Sequence, residues 1–159
     1  MNKTIVILAC LFGFFACIKP PSYPIEPVIE FVGLSKNIIQ QSTLNVDSIT
    51  INFTFTDGDG DLGDNDSINI FVTDTRQDFI ANKFRIPFIP PEGAANGISG
   101  EVAIVTYSTC CIFPDGQVPC TPSDSYPVDT LTYKIQIKDR AGNLSNFIET
   151  PPIFVLCNQ

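Results

Sequence analysis

The chain contains no histidine and no tryptophan, and only one methionine. Without histidine, Ser–His and Cys–His nucleophile pairs are excluded, as are zinc sites of mixed Cys and His ligands. Without tryptophan, and with four tyrosines, the aromatic platform expected of a sugar-binding face is thin. Positive charge is scarce as well: nine Lys and Arg stand against seventeen Asp and Glu, for a net charge of −8. Nothing resembles a basic stripe able to displace phosphate counterions, which excludes nucleic acid as a partner and also argues against electrostatic attachment to anionic lipid. There is no phosphate-cradling glycine loop ending in Lys-Ser/Thr and no dinucleotide fingerprint. "NGISGE" around Ser99 lacks the order of a nucleophile elbow. No segment sustains apolar residues at i, i+3 and i+4, so helix should be minor.

What is present begins with an apolar core from Ile5 to Ala16, preceded by Lys3. It falls short of the ~20 residues a membrane helix needs but has the length of a signal-peptide core. It closes on Phe14-Phe15-Ala16-Cys17. A small residue directly before a cysteine at the end of such a core resembles the lipobox of bacterial lipoproteins, although Phe14 stands where that signature favours Leu. The resemblance implies cleavage after Ala16 and acylation of Cys17, giving a signal peptide over 1–16 and membrane attachment through lipid. Residues 17–27 then form a tether, stiffened by Pro20, Pro21, Pro24 and Pro27, which would hold a domain away from the membrane at ~3.1 Å per residue.

From Val28 onward the period is two, and 28–159 reads as one domain. "SITINFTF" puts Ile49, Ile51, Phe53 and Phe55 on one face; "SINIFVTD" keeps Ile68, Ile70 and Val72 in phase; "TLTYKIQIKD" aligns Leu131, Tyr133, Ile135 and Ile137. Such alternation predicts half-buried strands. Weaker strands are predicted over Val28–Leu34, Lys83–Phe88, Glu101–Tyr107 and Phe147–Leu156. About seven short antiparallel strands between Gly, Asp and Pro turns predict an all-β sandwich. Apolar residues make up 44 % of the chain, enough to fill its core.

"YKIQIKDRAGNLSN" (Tyr133 to Asn146) resembles the last hairpin of bacterial immunoglobulin-like surface domains, with Gly142 and Asn143 suited to the positive φ of a tight turn. "FTFTDGDGDLG" is similar to the early strand and loop of cadherin-like and related domains, whose Asp-rich turns often hold calcium. The whole pattern also resembles small lipoproteins of Gram-negative bacteria with an immunoglobulin-like body behind a lipobox. That resemblance implies a lipid-anchored outer-membrane location, periplasmic or surface-exposed, and brings no activity with it.

Of six cysteines, Cys10 leaves with the signal peptide and Cys17 takes the lipid. Cys110, Cys111, Cys120 and Cys157 remain, an even number in an exported domain, and predict two disulfides. Adjacent Cα atoms lie 3.8 Å apart, too close for an ordinary bridge, so Cys110 does not pair with Cys111. Two connectivities stay open: Cys111–Cys120 with Cys110–Cys157, or Cys110–Cys120 with Cys111–Cys157. In an extended chain the two neighbours point to opposite faces and serve different partners. The spacing lacks the paired C-x2-C of a zinc site. The stapled segment carries an apolar tip (Ile112, Phe113, Val118) that is expected to pack against the sandwich.

Five aspartates fall between residues 57 and 66. Asp57, Asp59 and Asp61 match the first ligand positions of an EF-hand loop, but Leu62 replaces the glycine and Ile68 the bidentate glutamate. The flanks are strands, so this is not an EF-hand. Calcium needs only six to eight oxygens in flexible geometry, and Asp57, Asp59, Asp61, Asp64 and Asp66 supply carboxylates, with Gly58, Gly60 and Gly63 freeing the backbone around them. Close, unneutralised aspartates repel one another, more than a plain turn requires. The expectation is a calcium-stabilised, non-catalytic binding or structural module, monomeric, that meets an envelope or surface protein. The alternative is a small carboxylate-dependent, metal-assisted hydrolase, since any acidic protein holds candidate carboxylate pairs.

Overall fold

A computed structural model describes residues 22–90 and 97–158. The signal peptide, Cys17 and the first part of the tether lie outside the described residues. Among those described there are ten strands and no helix: β1 (Val28–Leu34), β2 (Ile38–Gln40), β3 (Ser48–Asp57), β4 (Ile70–Asp74), β5 (Phe79–Phe84), β6 (Ile98–Tyr107), β7 (Val128–Leu131), β8 (Tyr133–Ile137), β9 (Ile148–Glu149) and β10 (Ile153–Leu156).

One layer is β1-β3-β6, antiparallel throughout, with β3 central and paired to β6 over its whole length. The other is assembled from β5-β4-β8-β9 and β2-β10-β7. These two pieces are successive halves of one layer. Only Thr132 separates β7 from β8, and only Thr150-Pro151-Pro152 separates β9 from β10. A proline has no N–H for the ladder, so the pairing breaks there. Thr150 carries it across: its N–H donates to the Tyr133 carbonyl at 2.9 Å and its hydroxyl accepts from the Tyr133 N–H at 3.0 Å. With the split strands joined, the two layers face each other across one core as an all-β sandwich.

The alternation does its expected work in β3, where Ile49, Ile51, Phe53 and Phe55 are all buried. They meet Ile70 and Val72 of β4, Leu131 of β7, Tyr133, Ile135 and Ile137 of β8, and Ile153 and Val155 of β10 in one core. Burying each such side chain is worth ~1.5–3 kcal/mol. Ile68, expected in phase with them, lies before β4 and is 42 % exposed.

The strand count differs from seven for definable reasons. The segments around 131–137 and 147–156 are each broken in two, and β2 is added. β2 runs parallel to β10, the exception to the antiparallel expectation. The strand expected over Lys83–Phe88 is instead β5, ending at Phe84, because Ile86 turns to the Asn69 side chain and accepts from the Asp64 N–H. The last hairpin forms, with Lys138 bridged to Leu144 and Gly142 at φ 97°, but Asn143, also expected at positive φ, does not adopt it and instead bonds Asp139. Asn146 then ties it to the other layer: its Oδ1 accepts from the Ile29 N–H at 2.8 Å and its Nδ2 donates to the Ile29 carbonyl at 2.9 Å.

The disulfides are Cys110–Cys120 and Cys111–Cys157, the second of the two open connectivities. Cys111 and Cys157 are fully buried and join the core, whereas Cys110 and Cys120 close the loop beside it. In that loop Phe113 is buried against Tyr126 and Ile112 is half-buried, but Val118 is 67 % exposed.

Candidate metal centre

In β3 the buried face reads Ile49, Ile51, Phe53, Phe55 and then Asp57; in β8 it reads Tyr133, Ile135, Ile137 and then Asp139. The period of two thus carries a carboxylate onto the inner face of each layer at the same end of the sandwich. The loop after β3 adds Asp59 and Asp61. Asp57, Asp59, Asp61 and Asp139 each offer an oxygen, and these four oxygens lie within 4.8 Å of one another.

Three of the four acids are held from outside the cluster. Asp57 is fully buried, and its Oδ2 accepts from the Leu62 N–H at 2.8 Å. Asp61 Oδ2 accepts from the Ala141 N–H at 2.9 Å. Asp139 accepts from the Asn143 N–H at 2.7 Å and from its side-chain amide at 2.8 Å. Asp59 is exposed at the rim. The remaining oxygens, Oδ1 of Asp57 and Oδ1 of Asp61, are buried without a hydrogen-bond partner. A buried carboxylate oxygen left unpaired is costly, so these two define a demand the protein does not meet by itself.

The electrostatics agree. Burial, with the charges of Asp59, Asp61 and Asp139 added, raises the Asp57 pKa to about 6 despite the Leu62 N–H. Burial and then the charges of Asp139 and Asp59 also push Asp61 up. Arg140 is close, yet its Nη1 donates to the carbonyls of Gly63 (2.7 Å) and Leu62 (3.4 Å), and its guanidinium lies 5.0 Å over the Phe88 ring. Among the described residues no Lys or Arg forms an ion pair with the four acids. The opposite end of the sandwich shows the other solution. There Asp74, in phase with Ile70 and Val72, is buried but paired with Arg76 at 2.6 Å, and Arg76 also reaches Asp129 at 2.6 Å.

The donor set is all hard oxygen with no thiolate or imidazole, which suits calcium over zinc. The four carboxylates come from the end of β3, the loop after it and the hairpin after β8, and in that loop Gly60 and Gly63 take positive φ.

Of the five aspartates singled out in the sequence, the structure brings together Asp57, Asp59 and Asp61. It does not bring in Asp64 or Asp66. Asp64 Oδ1 accepts from the Asp66 N–H at 2.8 Å, an outward local turn, and that bond lowers the Asp64 pKa. The fourth member, Asp139, comes from the far hairpin. Its signal was legible as an acid at the next in-phase position after a buried strand, the same signal as Asp57 after Phe55. Compared with known proteins, the chain matches no family model, no curated protein and no solved structure.

Proposed function

We propose that the protein is a lipid-anchored cell-envelope module, acylated at Cys17, whose non-catalytic immunoglobulin-like domain is stabilised by calcium held among Asp57, Asp59, Asp61 and Asp139. The observation that carries the calcium reading is the Asp57 carboxylate, fully buried with one oxygen unpaired and no cation bonded to it. The lipid reading rests on the Phe14-Phe15-Ala16-Cys17 sequence and the Pro-rich stretch behind it. The domain then acts at the outer membrane as a monomeric binding or structural element toward an envelope or surface protein.

Two measurements test this. Because calcium binds the ordered site and hardly the unfolded chain, millimolar calcium should raise the melting temperature and chelator should lower it. Asp139→Asn should abolish that response while leaving the chelated protein as stable as wild type or more so, through relief of repulsion. Identical melting curves in calcium and chelator would remove calcium from the reading. For the anchor, metabolic labelling with a palmitate analogue should mark wild type and not Cys17→Ser; label retained in the variant would refute acylation at that residue.

A further inference from the structure

The loop that carries the acids is also the seat of the incoming chain. Gly58 stands between Asp57 and Asp59, and a Cβ built there would lie 2.4 Å from the carbonyl oxygens of both Tyr23 and Pro24. The tether backbone therefore rests directly on the Gly58 Cα, in space that any other residue would fill. Gly97, just before β6, closes the other side. A Cβ there would meet the Asp57 carbonyl oxygen at 2.2 Å, the Gly58 Cα at 2.8 Å and Cδ2 of the half-buried Tyr23 ring at 3.0 Å. Three pieces of chain meet at this point: the tether, the start of the acidic loop and the entry to β6.

Besides this fit, the tether is held by Pro27, buried just ahead of β1. Regular pairing begins only at Val28, opposite Thr56. Pro24 and Pro27 have no N–H to give to a ladder. The seat itself depends on where residues 58–60 run. Asp57 and Asp59, on either side of Gly58, both belong to the four-acid cluster, so a cation that draws their carboxylates together also fixes the Gly58 backbone between them.

We propose that calcium binding at the four aspartates seats Tyr23 and Pro24 on Gly58 and Gly97, so that the ion fixes how the incoming chain enters the domain. This rests on the calcium reading above and adds a coupling to it. Coupling of this kind is reciprocal: if the ion favours the seated tether, the seated tether must favour the ion by the same factor.

The test uses the full-length chain in detergent. Calcium affinity is read by competition with terbium, and tether docking by the rate at which the Tyr23 ring, half-buried against Gly97, is iodinated, mapped by mass spectrometry. Calcium should slow iodination of Tyr23 about tenfold. Gly58→Ala, which obstructs the seat, and Tyr23→Ala, which removes the ring that rests against Gly97, should each weaken calcium binding by about tenfold, within the usual range for coupled sites, although neither removes a carboxylate. Tyr23 lies outside every strand and outside the acidic loop, so its variant keeps the test decisive if Gly58→Ala disturbs the loop itself. If wild type binds terbium and calcium but Tyr23 iodination is unchanged, or Tyr23→Ala binds calcium as wild type does, the coupling is refuted and the metal site stands. If wild type binds neither ion, the metal site is refuted and the coupling with it.

Discussion

At Asp57 a carboxylate occupies the position that Ile49, Ile51, Phe53 and Phe55 hold at every second residue before it. Its protonation should govern the metal-free protein. Since the folded-state pKa, about 6, lies above the ordinary 3.8, the folded state binds the proton more tightly than the unfolded chain. That favourable contribution is fully present below pH 3.8 and is lost as pH rises through 6. The chelated protein should therefore melt progressively lower across this window relative to an Asp57→Asn variant, whose side chain does not titrate. Calcium requires the ionised form, so its stabilising effect should grow over the same window. A calcium effect independent of pH between 4 and 7 would contradict this. Asp74, at the opposite end, carries a different expectation because its charge is already matched. Arg76→Met strands Asp74 in the core and should cost ~3–5 kcal/mol by denaturant unfolding, as expected for one partner removed from a buried pair. Combining it with Asp74→Leu should restore most of the loss.

Among the elements, the stapled loop and the broken strands decide how the second layer holds together. Pro151 and Pro152 interrupt the edge, and Thr150 repairs it with both its backbone and its hydroxyl. Thr150→Val keeps the shape but leaves the buried Tyr133 N–H unpaired, which should cost about 1–3 kcal/mol. The two bridges should differ in weight. Cys111–Cys157 spans 46 residues and Cys110–Cys120 spans 10. Chain entropy assigns about 4 kcal/mol to the longer and roughly 3 kcal/mol to the shorter. Replacing Cys111 and Cys157 by Ser should therefore destabilise more than replacing Cys110 and Cys120, the more so because the first pair is buried in the core. Non-reducing peptide mapping should find no free thiol at these four positions; equal losses for the two double variants would show that loop length is not what sets them.

For the whole molecule, the pattern of residues determined the layers and most of what lies between them. Period-two runs in β3 and β8 are long enough to specify which face is buried without reference to any partner strand, since a slip of one residue would turn all of Ile49, Ile51, Phe53 and Phe55 to solvent. Cysteine spacing excluded the adjacent pair. Three of the four carboxylates were legible in the sequence; the fourth was not, because sequence proximity favoured Asp64 and Asp66, which turn outward, over Asp139, which is distant along the chain and adjacent in space. Which cysteine takes which partner, the parallel pairing of β2 on β10, and the meeting of Tyr23 and Pro24 with Gly58 were decided by tertiary structure alone. The physical reason is common to all three. Local alternation states which way a side chain faces, but only the packing of the two layers fixes which distant backbone or carboxylate it then meets.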